Sequence, residues 1–314
     1  MAAKVFTTRP HPLANDYEFL SLEIPEGYPY VTIVRLNRPD KLNAIHAPLW
    51  REIGTVFGCL GRGEPRDESR CLLLTGNGRG FCSGIDIQDL SLVGSNNEEE
   101  EGACDDPART GIAMIRKIQQ MQACFTQLET CPIPVVVAIH GICIGAGIDL
   151  ACCADMRICA PNTLFSVREV RMGLAADVGT LQRLPKITGN TSWVSDVCLT
   201  GRNFSASEAM KMGFISHIVE TRAAAIDTLE TTREALLIYA VQLCQSIAVN
   251  SPIAVLGTKK ALLYARDHTV ADSLEQVIAY NAMALQSDDL MTSIQATMKK
   301  EQPIFPRIPR HSRL

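Results

Sequence analysis

Two short, almost wholly apolar runs, Cys71 to Thr75 (CLLLT) and Val135 to Ile139 (VVVAI), each lead straight into a glycine-rich turn. Runs of that length bounded by turn residues read as buried strands. The first turn is Gly76-Asn77-Gly78-Arg79-Gly80; the second leads through Gly141 to a helix beginning near Gly145 or Ala146. A helix that starts on small residues lets a ligand oxygen approach amides with no intrahelical partner, backed by the positive end of the helix dipole. The first turn supplies another set of free amides, but it lacks the GxGxxG register and the later acidic residue of a dinucleotide site. Either turn alone also suits a tight helix–strand contact. Together they read as two halves of one anion site.

Three carboxylates lie in the apolar sequence that follows. Asp149 comes three residues after Ala146, about one turn into the helix and on the same face. Glu169 sits between Val167 and Val170, and Asp177 follows Gly173-Leu174-Ala175-Ala176. Such flanks are compatible with desolvation that raises the pKa of at least one of them. The competing expectation is an ion-pair network of Glu169 with Arg168, Arg171 or Arg183; Arg157 has Asp155 as a comparable partner. His46 and His140 have no second ligand at helical or turn spacing and read as structural.

The stretches GRGFCSGIDI and HGICIGAGIDLACCADMRIC resemble the crotonase, or enoyl-CoA hydratase/isomerase, family, and the similarity runs from about Val31 to Gln295. The resemblance implies an α/β crotonase fold of repeated ββα units forming a spiral core, with a C-terminal helical oligomerisation region. It implies a thioester enolate held by the backbone amides of Ile85 and Ala146. The family usually has glycine at the second position, and alanine keeps the N–H. Substrate contacts implied by position are Ser83, Gly84, Ile85, Asp86, Ile87 and Ala146, with Lys41, Lys259 and Lys260 as phosphate contacts; for Lys41 a solvated surface position is the alternative. Within the family, VREVRMGLAADVGTLQRLPKITGN is similar to the Δ3,5-Δ2,4-dienoyl-CoA isomerases. That similarity implies Asp177 as base at C2, Glu169 as acid at C6, and Asp149 tuning or positioning them. An enoyl-CoA hydratase would carry glutamates at positions 149 and 169; Asp149 is one methylene shorter, and Asp177 has no role in hydration. A non-catalytic acyl-CoA or RNA-binding protein on the same fold is the third reading. The family implies neither metal nor redox cofactor, CoA being part of the substrate.

The chain has 314 residues, 46% hydrophobic and 20% charged, enough for a sizeable core. A net charge of −4 offers no general basic field for nucleic acid. No apolar run reaches the roughly 18–20 residues of a membrane span. The twelve cysteines show no CxxC and no Cys/His ligand spacing, so they read as reduced packing residues without a metal.

Residues 1–232 are expected to form the core with the acyl-CoA site, 233–302 a helical trimerisation region, and 303–314 an extended, proline-punctuated tail. Phe19–Ile24 and Tyr30–Leu36 alternate as a hairpin, and a helix follows near Pro48–Leu60. Ser91–Gly111, with its run Glu98–Glu101, reads as a polar surface insertion. Apolar residues recur at helical spacing from Ile112 to Leu128 and are expected to line the acyl pocket. Ser205–Met212 predicts a helix and Phe214–Val219 a strand. The helices of the C-terminal region carry more apolar surface than a lone hairpin needs, and the resemblance implies homotrimers or hexamers. The last residues, Ser312-Arg313-Leu314, resemble a peroxisomal import-receptor signal, with a glycosome equivalent. A mitochondrion is the alternative, since Met1–Pro12 has two basic and no acidic residues.

Overall fold

The two apolar runs become neighbouring strands at the centre of a seven-stranded sheet. The protein is described by a computed structural model covering residues 6–63, 67–89, 106–220 and 228–308. In chain order β1 (Thr8–Pro10), β2 (Leu20–Pro25) and β3 (Val31–Leu36) are followed by α1 (Ala47–Arg62) and β4 (Cys71–Gly76). Then come α2 (Pro107–Thr130), β5 (Val135–Ile139), β6 (Ile142–Ile144) and α3 (Ala146–Cys153). The middle of the chain continues with β7 (Met156–Cys159), β8 (Leu164–Ser166), α4 (Thr180–Thr188), α5 (Thr191–Thr200) and β9 (Asn203–Ser205). The remainder is α6 (Ala206–Lys211), β10 (His217–Ile218), α7 (Leu229–Ala248), α8 (Pro252–Tyr264), α9 (Val270–Ala284) and α10 (Asp288–Lys299).

The large sheet has the order β1-β2-β3-β4-β5-β7-β10, antiparallel at β1 to β3 and parallel from β3 onward. Its central strands are apolar throughout because both faces are covered. Leu72, Leu74, Val135 and Val137 face one core with α1, α2 and α3, while Cys71, Leu73 and Val136 face another closed by Leu236, Ala240 and Cys244 of α7. A second layer runs beneath: β6, β8 and β9 pair, and isolated bridges join Ile45 to Ile85 and Cys82 to Cys143. A sheet strand, a short second-layer strand or bridge, and a helix therefore recur as β3–Ile45–α1, β4–Cys82–α2 and β5–β6–α3, which matches the expected ββα repeat.

Several boundaries differ from the sequence reading. The helix expected from Ile112 begins at Pro107, because the Asp106 side chain accepts the Ala108 amide and caps it inside the polar run. Residues 91–105 of the expected insertion, and the terminal Ser312-Arg313-Leu314, lie outside the described residues. The strand expected over Phe214–Val219 is only β10, since the Phe214 amide is drawn back to Ala209 at the end of α6. The expected boundary at 232/233 falls inside α7, whose buried face belongs to the sheet core. Among the tail residues, Phe305 is buried and its carbonyl accepts from Arg70 Nη2 at 2.8 Å. The described cysteines are free thiols. No single helix among the described residues is long and apolar enough to cross a membrane.

Candidate active site

The Cys82–Cys143 bridge lays the two glycine turns side by side. Ile45 N–H donates to Gly84 O and Asp86 N–H donates to Ile45 O, at 2.8 and 2.9 Å. Successive amides on extended chain point to opposite sides, so the Ile85 N–H faces away from Ile45. It has no acceptor among the described residues. Ala146 is the first residue of α3, and its N–H is one of the four that a helix cannot satisfy internally. Gly84 and Gly145 bring the two together through positive φ values of 103° and 53°. A β-carbon on Gly84 would lie 3.9 Å from the Ala146 nitrogen, and one on Gly145 would lie 3.7 Å from the Gly84 α-carbon.

A cavity of about 330 Å³ opens beside these amides, and Asp149, Glu169 and Asp177 all line it. Asp149 is buried on α3, and its Oδ1 accepts the Thr180 amide at 2.6 Å. Burial first, and then Glu169, push its carboxyl up to about 7, against the opposing effect of Thr180. Glu169 opens a 3₁₀ turn, Glu169–Met172, and its Oε2 is buried with no partner among the described residues. Burial raises its pKa, helped by Asp177, and burial also raises that of Asp177. Asp177 is held through its backbone carbonyl, which accepts from Gln122 Nε2 at 2.6 Å. Three acids that share a cavity titrate as a group, and each is shifted upward by burial.

The ion-pair alternative for Glu169 is not what forms. Arg168 binds Asn203 Oδ1 at 2.5 Å, Arg171 binds Thr200 O at 3.1 Å, and Arg183 binds Glu129 at 2.7 Å. Most of the remaining cavity wall is apolar, with Ile118 and Met121 of α2, Trp50, Met172 and Leu174, and Arg168 also lines it. Thus α2 does line the pocket, although Ile112 and Ile115 of the same stripe are exposed and Phe125 and Leu128 sit in the core. Trp50 braces this wall by donating from Nε1 to Met121 O and stacking on Phe125.

Of the expected substrate contacts, Ser83, Gly84, Ile85, Ile87 and Ala146 line the cavity. Asp86 does not: its carboxylate is turned away to Arg38 Nη2 at 3.0 Å. Burial would raise that carboxyl, but the Gln88 amide and Arg38 outweigh it and hold it below its usual range. Lys41 is on the surface and donates to Gln88 Oε1 at 3.0 Å. Lys259 is not a phosphate contact here. It is 6% exposed, and its Nζ is spent on Asp155 Oδ2 at 2.7 Å and Ile133 O at 3.1 Å. That also displaces the expected Arg157–Asp155 pair, and Arg157 instead donates to the carbonyls of Ala154 and Phe214. Lys260 beside it is exposed. His46 precedes α1, and His140, lowered to about 4 by burial, contacts Gly78 O; both are structural. No group of three His, Cys, Asp or Glu side chains among the described residues is placed to hold a metal. Sequence reasoning missed Thr180, Gln122 and Trp50. For Thr180 a signal existed, since Gly179 followed by threonine marks a helix start; nothing in the sequence marks Gln122 or Trp50.

Comparison with known proteins identifies the family. The family model described as enoyl-CoA hydratase/isomerase matches residues 26–307. A human mitochondrial Δ3,5-Δ2,4-dienoyl-CoA isomerase is 39% identical over 289 residues, covering 92% of this chain and 82% of that protein. A peroxisomal relative of the same name from Arabidopsis thaliana is 36% identical, covering 87% of this chain and 91% of its own. Among solved structures, a putative enoyl-CoA hydratase from Streptomyces coelicolor superposes with a TM-score of 0.77 at 27% identity, over 98% of this chain and 99% of that one.

Proposed function

The chain belongs to the enoyl-CoA hydratase/isomerase family, and from that premise we propose that it converts 3,5-dienoyl-CoA to 2,4-dienoyl-CoA in fatty-acid β-oxidation. The observation that carries this reading is the third carboxylate: Asp177 lines the same cavity as Asp149 and Glu169, beside the two free amides.

The isomerisation removes a proton from C2 and returns one at C6, four bonds away. One carboxylate cannot reach both ends, so two are needed. The ionised Asp177 takes the C2 proton, and the electron pair spreads over the thioester and the diene as an extended enolate. The Ile85 and Ala146 amides favour that charge over the neutral substrate, which lowers the barrier. Protonated Glu169 then delivers its proton at C6, leaving the 2,4-diene. Each proton transfer contributes roughly 10²–10⁴-fold. The apolar wall from α2 and Trp50 takes the acyl chain and excludes water. CoA enters as part of the substrate. Ile87, which lines the cavity, and Lys41, on the surface at Gln88, suit the thioester's nucleotide end.

The C-terminal helices expose apolar side chains, among them Leu274, Ile278 and Met298, and this supports self-association as a trimer or a pair of trimers. The plant relative is named peroxisomal, and this supports a peroxisomal location. The human relative's mitochondrial name keeps that organelle as the alternative.

Ultraviolet absorbance tests the activity, because a conjugated 2,4-diene thioester absorbs where the 3,5-isomer does not. On mixing with a 3,5-dienoyl-CoA the band should grow with the native protein. With Asp177→Asn it should slow by at least about a hundredfold. Efficient hydration of a 2-enoyl-CoA, unchanged in Asp177→Asn, would instead make the protein a hydratase.

A further inference from the structure

Thr180 is the first residue of α4 and stands three positions after Asp177. Its amide is bonded to Asp149, and its hydroxyl is wholly buried with no hydrogen-bond partner among the described residues. The residue before it, Gly179, has no side chain with which to cap the helix. Asp149 therefore caps α4 from a different helix, and a carboxylate at a helix N-terminus is favoured in its charged form. Glu169 is less well served. Its Oε2 is buried with no hydrogen-bond partner among the described residues, although the backbone at Arg168 and Glu169 lies beside the carboxyl. A neutral carboxyl tolerates such a site far better than a carboxylate does.

Resting on the isomerase reading for its acid and base, we propose that Thr180 is a positioning residue: it holds the negative charge on Asp149, which leaves the proton on Glu169, where delivery to C6 requires it. Its amide supplies one hydrogen bond to Asp149, and rotation of its side chain supplies a second. The charged groups that face these acids are few: Arg168 lines the same cavity, but its guanidinium is bonded to Asn203. Asp149 is faced by Glu169 from the 3₁₀ turn and Asp177 from the segment before α4. Around it are the thiols of Cys82, Cys143, Cys152, Cys153 and Cys198, all pushed up by burial and hence neutral. Arg183, the cation of α4 on this side, is engaged by Glu129 of α2. The proton is thus shared among three carboxylates only. Asp149 stands near neutrality, so losing one donor is enough to draw the proton to it. Once neutral, Asp149 no longer repels charge on Glu169, and Glu169 ionises at lower pH.

The test is the pH profile of kcat for 3,5-dienoyl-CoA isomerisation in Thr180→Val and Thr180→Ser. Valine keeps the shape and the amide but removes the hydroxyl. The basic limb should move down by about one pH unit, a roughly tenfold loss on that limb, with KM unchanged. Serine should restore the native profile. A valine variant with the native profile, or a serine variant sharing valine's loss, overturns the assignment. Should the valine protein fail to fold, Thr180→Ala carries the same comparison. Asp177→Asn run alongside separates the two failures: an active Asp177→Asn sinks the isomerase reading itself, whereas an inactive one beside an unshifted Thr180→Val sinks only the role of Thr180.

Discussion

At Gly145 two demands meet on one residue. Its φ of 53° disfavours a side chain, and a β-carbon there would stand 3.3 Å from Glu169 Oε1. Gly145→Ala should displace the acid by a few tenths of an ångström and lower kcat by about tenfold or more, with KM little changed; steady-state kinetics on folded protein checks this. Asp149 leads to a prediction about stability. Its pKa rises from 3.8 to about 7 on folding, so the native state binds the proton more tightly than the unfolded chain. The stabilisation is complete below the unfolded value and is lost as pH rises through the folded one. Asp149→Asn removes that loss. Thermal melts should show the variant gaining on the native protein from pH 5 to pH 7 and levelling off above, by about 3 kcal/mol at 1.36 kcal/mol per unit. The acid that shapes the site is then one that weakens the fold at working pH.

Among the elements, α8 is clamped to the start of β5 by a single buried lysine. Asp155 accepts from both Lys259 and the Val135 amide, each at 2.7 Å. Lys259→Met leaves that carboxylate half-satisfied and should cost on the order of 3 kcal/mol of stability in denaturant titrations. KM for the thioester should not move; a large rise in KM with stability intact would restore the phosphate contact. The sequence concealed this because the resemblance gives Lys259 to a phosphate, and its partner is 104 residues away. The Asp149–Thr180 bond is concealed likewise, over 31 residues. What was legible was local. Val135–Ile139 and Cys71–Gly76 are uninterrupted apolar stretches punctuated by glycine, and the start at Ala146 follows from small residues after a strand. Three-residue β6 and β8 lack the length for a period to register, and the first turn of α2 was masked by its polar cap.

For the whole molecule, the C-terminal helices set the expectation. Leu274, Ile278 and Met298 are 62%, 68% and 80% exposed, more apolar surface than an isolated subunit keeps uncovered. Light scattering should report a mass of three or six chains, and Ile278→Glu should lower that mass and the melting temperature together. The three carboxylates were legible as a set because each interrupts apolar sequence. Their convergence was not, since it depends on strands and turns far apart in the chain. The bridge between Cys82 and Cys143 has a consequence of another kind. Because the paired donors are main-chain groups fixed by strand pairing, the anion site is inherited from topology and not from the identity of the residues that carry it. On the proposed mechanism, Ile85 and Ala146 are therefore free to drift under selection for different acyl chains while the amides' hold on the enolate persists, and descendants of such a scaffold can change what they bind without reinventing how they react.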